Sequence, residues 1–135
     1  MGWYHVFRDN VMDVQKQFDY WRSGAEEALE VAHILWEKGK TPEAMFFTHL
    51  ALEKMLKARI ILKTADLPPR IHNLVRLAEI TALTLTHEQM TFLRGMNVYQ
   101  MQGRYPEDFP MIIPRETARE DMDLAQEFLE WLKTQ

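Results

Sequence analysis

TPEAMFFTHLALEKMLKARIILK, Thr41 to Lys63, is long enough for about six helical turns and carries the punctuation of a helix start. Thr41 is placed to act as N-cap and Pro42 as the first helical residue, where its missing N–H costs nothing. On a helical wheel Phe47, Leu50, Ala51, Met55, Ala58, Ile61 and Leu62 share one arc, interrupted only by Lys54. That arc is a core face. A second apolar group, Met45, Leu52, Leu56 and Ile60, lies on the side of His49 and Glu53. A helix apolar on two sides is either central in its domain or half of an interface with another chain.

Towards the N-terminus, Val14, Phe18, Trp21, Ala25, Ala28, Ala32 and Leu35 recur at alternating spacings of 4 and 3, the stripe of a long amphipathic helix over residues 13–38. Gly39 stops it, and the single residue Lys40 before the Thr41 cap predicts an antiparallel hairpin of two long helices. Residues 1–12 show no clean period and read as an irregular lead-in, with Trp3, Tyr4 and Phe7 against the bundle.

Towards the C-terminus, Pro68 and Pro69 end the helix and impose an extended connector with His72 at its exit. Asn73 can cap a short helix in which Leu74, Leu77 and Ala78 repeat, fading in TALTLT. Thr86 and Gln89 have the spacing of a capping box and open a fourth helix through about Met101, with Met90, Leu93 and Met101 on one stripe. Asn97 falls in that stripe, and a polar amide there must find partners. QGRYPEDFPMIIP, Gln102 to Pro114, reads as an ordered non-helical loop because of its three prolines, held down by Tyr105, Phe109, Met111, Ile112 and Ile113. Arg115 to Lys133 closes the chain as a helix, with Ala118, Met122, Ala125, Leu129 and Leu132 on its stripe. No segment alternates with period 2, so no sheet is expected. The expected fold class is all-α, in one domain over residues 1–135.

Composition narrows the function. A net charge of −4 provides no basic field to hold duplex DNA, although a small basic patch could hold a nucleotide or a short single strand. The absence of cysteine excludes disulfides, thiolate metal sites and a cysteine nucleophile. No apolar run approaches the ~18 residues of a membrane span, and the first ten residues lack the basic and apolar regions of a leader. A soluble cytoplasmic protein is the expectation. No phosphate-binding loop, dinucleotide fingerprint or zinc motif occurs, and the five histidines never pair at helical spacing. No cofactor or metal is therefore expected.

Two constellations can carry chemistry. His49, Glu53 and Lys57 stand at i, i+4 and i+8. The plain alternative is an ordinary Glu–Lys pair beside a boundary histidine, while the apolar company of Leu52, Leu56 and Ile60 suggests the wall of a groove. The second group is Asn97, Tyr99, Arg104, Tyr105 and Pro106. Arg104 offers a phosphate fork and Tyr105 a stacking ring, the two parts a nucleotide site uses. Equally, Tyr105 can anchor the loop while Arg104 caps a helix end or pairs with Glu107 or Asp108.

AMFFTHLALEKMLKARIIL, then PPRIHNLVRLAE, then FLRGMNVYQMQGRYPED resembles, in order and over about half the chain, the HEPN family of small helical domains. The resemblance implies an antiparallel up-and-down bundle of four to five helices that commonly dimerises, a role in binding nucleotides or RNA, and association with a minimal nucleotidyltransferase as a two-part module, often of toxin and antitoxin type. It also places His49, Glu53 and Lys57 on the second-helix motif, His72 on the connector histidine, and Asn97, Arg104 and Tyr105 on the tail, as ligand-binding residues. Ribonuclease members carry Arg, four to six residues, then His. No arginine of this chain has that partner: Arg70 is two residues from His72, and Arg76 is eleven from His87. QMQG, Gln100 to Gly103, stands where many relatives have Tyr-Ile-Pro-Thr. The resemblance thus implies a non-catalytic binding module, with a divergent ribonuclease toxin as the alternative.

Overall fold

The structure is a computed structural model that describes residues 13–107 and 112–135. Five helices follow one another: α1 Val14–Glu37, α2 Thr41–Thr64, α3 Leu74–Thr81, α4 His87–Arg104 and α5 Arg115–Lys133. No strand occurs among the described residues. The aromatic lead-in residues Trp3, Tyr4 and Phe7, and Phe109 and Met111 of the loop, lie outside them.

The start signals act locally, with one exception. Asp13 caps α1 by accepting from the Lys16 N–H, and Asn73 caps α3 through the N–H groups of Val75 and Arg76. Thr86 and Gln89 form the reciprocal capping box of α4. α2 differs from expectation. Gly39 takes a left-handed conformation (φ 77°), and the Lys40 carbonyl already accepts from the Ala44 N–H. The helix therefore starts one residue early, with Thr41 inside its first turn and no side-chain cap.

α2 is the central element and packs against all four others. Met45, Leu52, Leu56 and Ile60, the second apolar group, are buried in the core with Ala51, Met55, Ala58 and Ile61. This resolves the two-sided pattern in favour of centrality, and it removes the α2 face as a surface for another chain. Leu62, counted with the core arc, is exposed.

Contacts set the relative directions of α1, α4 and α5. Glu26 and Trp36 of α1 meet Lys133 and Arg115 of α5, so those two run antiparallel. Tyr99 and Phe92 of α4 meet Asp121 and Phe128 of α5, again antiparallel. The up-and-down bundle is thus as expected. On α5 the predicted stripe is buried throughout, joined by Phe128.

α4 departs from its predicted stripe and length. Its buried residues are Leu93, Met96, Tyr99, Gln100 and Gln102, whereas Met101 is exposed and the helix continues to Arg104. The first proline after it is Pro106, too late to stop a helix at residue 101. Beyond it, Tyr105 is exposed and Ile112 is 96% exposed, so only Ile113 of the described loop aromatics and aliphatics packs on the core.

Candidate functional site

Glu53 is the hub of a buried polar cluster. Lys57, one turn further along α2, donates from Nζ to Glu53 Oε2 across 3.0 Å. The Pro68–Pro69 connector brings the chain back over this face and sets His72 Nδ1 at 3.1 Å from both carboxylate oxygens. A carboxylate only accepts, so Nδ1 carries the proton and Nε2 is left for another partner. Glu53 and Lys57 are each 5% exposed, while the His72 side chain is 44% exposed. The Lys57 ammonium also lies 5.6 Å from the centroid of the Trp21 ring, a cation–π contact.

His49 sits one turn before Glu53 and is 1% exposed. Its burial pushes its pKa below the ordinary value, against the opposing pull of Glu53 and of the Asn97 hydrogen bond. The neutral ring donates from Nε2 to Asn97 Oδ1 at 3.4 Å. Asn97 therefore finds the partners its position requires: Oδ1 also accepts from the Leu74 N–H at 3.0 Å, and Nδ2 donates to Asn73 Oδ1 at 3.1 Å. Asn73 is in turn the cap of α3, so one pair of amides joins the start of α3 to the middle of α4.

A cavity of about 260 Å³ opens beside this cluster, lined by His72, Asn73, Asn97, Gln100 and Met101. Among the described residues no arginine lines it. The structure thus brings together His49, Glu53, Lys57, His72 and Asn97. Arg104 and Tyr105 are not part of that cluster: both are exposed at the end of α4, and neither side chain has a hydrogen bond or ion pair among the described residues. Arg104 does follow Gln100 by one turn on the same helix face. Tyr99 belongs elsewhere, donating to Asp121 at 2.7 Å, with burial and that carboxylate raising its pKa.

Sequence reasoning missed Trp21, Asn73 and Gln100 as members of the site. Gln100 was within reach, because Asn97, Gln100 and Arg104 form a polar stripe at i, i+3 and i+7. Asn73 was assigned only its capping role. Trp21 looked like one more residue of the α1 stripe.

A family model described as HEPN domain matches residues 18–135. The chain belongs to the HEPN family. Among solved structures, the crystal structure of TT1696 from Thermus thermophilus is similar to this HEPN domain with a TM-score of 0.77 and 21% identity, over 87% of this chain and 97% of that one. That likeness concerns the fold alone. No curated protein matches the chain. Among the described residues of this HEPN domain no helix is long and apolar enough to cross a membrane, and no group of three or more His, Cys, Asp or Glu residues could hold a metal ion.

Proposed function

We propose that this HEPN domain is a non-catalytic module that binds a nucleotide or a short stretch of RNA, acting as a homodimer with a separately encoded minimal nucleotidyltransferase. The observation that supports this reading is the lining of the His72 cavity: an imidazole oriented by Glu53, the amides of Asn73, Asn97 and Gln100, and the Met101 thioether. Such groups recognise hydrogen-bonding edges. Phosphoryl cleavage needs in addition a fixed cation where charge develops, and no arginine lines the cavity among the described residues. One turn further along α4, the exposed Arg104 and Tyr105 are suited to a phosphate and a base.

Isothermal titration with ATP, GTP and short RNA oligonucleotides tests this. Binding is expected for the wild type and should weaken in Arg104→Ala, Tyr105→Ala and His72→Gln. No heat at millimolar ligand would count against the reading. Co-purification with the product of the neighbouring gene tests the nucleotidyltransferase pairing separately.

The Glu53–His72 geometry supports the alternative, a divergent ribonuclease, because a carboxylate-oriented imidazole with a free Nε2 is also a general base. Cleavage of RNA by the purified domain, abolished in His72→Ala but retained in a folded Arg104→Ala protein, would favour that alternative.

A further inference from the structure

The side chains of α4 and α5 enclose a second groove, of about 310 Å³, that contains none of the residues around His72. Its floor is aromatic. Phe92 and Phe128 have ring centroids 6.5 Å apart, and Phe128 and Trp131 are 5.7 Å apart. Leu124 stands at the edge, 46% exposed. Glu88 and Glu127 form the rim, and neither has an ion-pair partner among the described residues. An apolar trough between two uncompensated carboxylates is complementary to a helix that is apolar on one face and cationic on its flanks.

Charge decides between possible occupants. Within α5, Glu116, Glu120, Asp121, Asp123, Glu127 and Glu130 outnumber Arg115, Arg119 and Lys133. All three of those cations are already engaged: Arg119 with Glu116 and Asp123, Lys133 with Glu26 and Glu130, and Arg115 with the Trp36 ring and carbonyl. A second copy packed across a two-fold axis would set this acidic face against itself. A nucleic acid would meet the same repulsion. We propose that the α4–α5 groove docks a cationic amphipathic helix of a protein partner, with apolar side chains entering beside Leu124 and Trp131 and Lys or Arg side chains reaching Glu88 and Glu127.

This proposal stands apart from the ligand reading of the His72 cavity, and the two can fail separately. The test uses the full chain and fluorescence anisotropy with two labelled helical peptides that share one leucine face, flanked in one by lysine and arginine and in the other by glutamate. The cationic peptide should bind and be released by salt, and the acidic one should not bind. Glu88→Lys with Glu127→Lys should lower affinity by about tenfold or more, and Leu124→Asp should abolish binding, with circular dichroism showing both variants folded. Equal binding of the two peptides, affinity unchanged by charge reversal, or dissociation of a homodimer by Leu124→Asp would overturn the proposal; the last would show the groove to be an interface between copies.

Discussion

Lys57 Nζ and Glu53 Oε2 meet at 3.0 Å inside the bundle, where each residue is only 5% exposed. Taking two charges out of water is costly, and the pair is tolerated because each charge has more than one partner: His72 adds a donor to Glu53, and the Trp21 ring underlies the Lys57 ammonium. Breaking the pair should therefore cost more than removing it. Lys57→Met is expected to destabilise by about 3 kcal/mol, because it leaves a buried carboxylate with His72 as its remaining hydrogen-bond donor among the described residues. Glu53→Leu combined with Lys57→Met should cost clearly less than Lys57→Met. Urea denaturation of the two variants checks this, and a double variant as unstable as the single would contradict it.

His49 gives the fold a pH dependence of known sign. Burial lowers its pKa in the folded state below the ordinary 6.5, so the unfolded chain takes up the proton first. Above 6.5 both states are neutral at this residue and its stability contribution is complete. As pH falls through 6.5 towards the lower folded value, the unfolded state binds more protons and stability is lost. His49→Gln should flatten this part of the profile and leave the response at higher pH unchanged. Thermal melts across the window, wild type against variant, provide the measurement.

Tyr99 acts at the other end of the scale. Its hydroxyl donates to Asp121 at 2.7 Å, and burial and the carboxylate together raise its pKa above the ordinary 10.0. The folded state thus keeps its proton where the unfolded chain has lost it. Stability from this group is complete below 10.0 and falls as pH rises through the folded value. Tyr99→Phe should remove that alkaline loss and cost about 1.5–3 kcal/mol near neutrality, as expected for a hydrogen bond to a charged acceptor. Denaturant melts in neutral and alkaline buffer separate the two effects.

How much of this was legible in the sequence depends on the range of the interaction. The α5 stripe, the Asn73 cap and the Thr86–Gln89 box are set within a turn or two, and spacing alone identifies them. His49, Glu53 and Lys57 were aligned by the same means. What spacing could not supply was that His72 returns over Glu53, that Asn97 joins His49 to the start of α3, or that Trp21 lies beneath Lys57. Those contacts depend on where the connector and the hairpin place whole elements. The end of α4 was misjudged for a related reason: the prolines that forbid a helix begin only at Pro106, and the turn before them is held against α2 by packing.

That packing makes the two glycines of α4 behave in opposite ways. A Cβ on Gly95 would meet nothing within 4 Å among the described residues, whereas one on Gly103 comes within 3.0 Å of Phe46 Cβ and closer still to the ring. Both are helical, so alanine gains about 0.5–1 kcal/mol of backbone preference at either position. At Gly95 nothing opposes that gain, and Gly95→Ala should stabilise the domain. At Gly103 the new methyl must displace Phe46, a crowding that typically costs about 1–3 kcal/mol, so Gly103→Ala should destabilise it and shift Arg104 and Tyr105. Truncating the obstacle isolates the cause: in a Phe46→Ala background, itself less stable, Gly103→Ala should become neutral or stabilising. A double-mutant cycle by urea denaturation reads this directly. A Gly103→Ala penalty unchanged by Phe46→Ala would mean that something other than the α2–α4 approach requires the glycine.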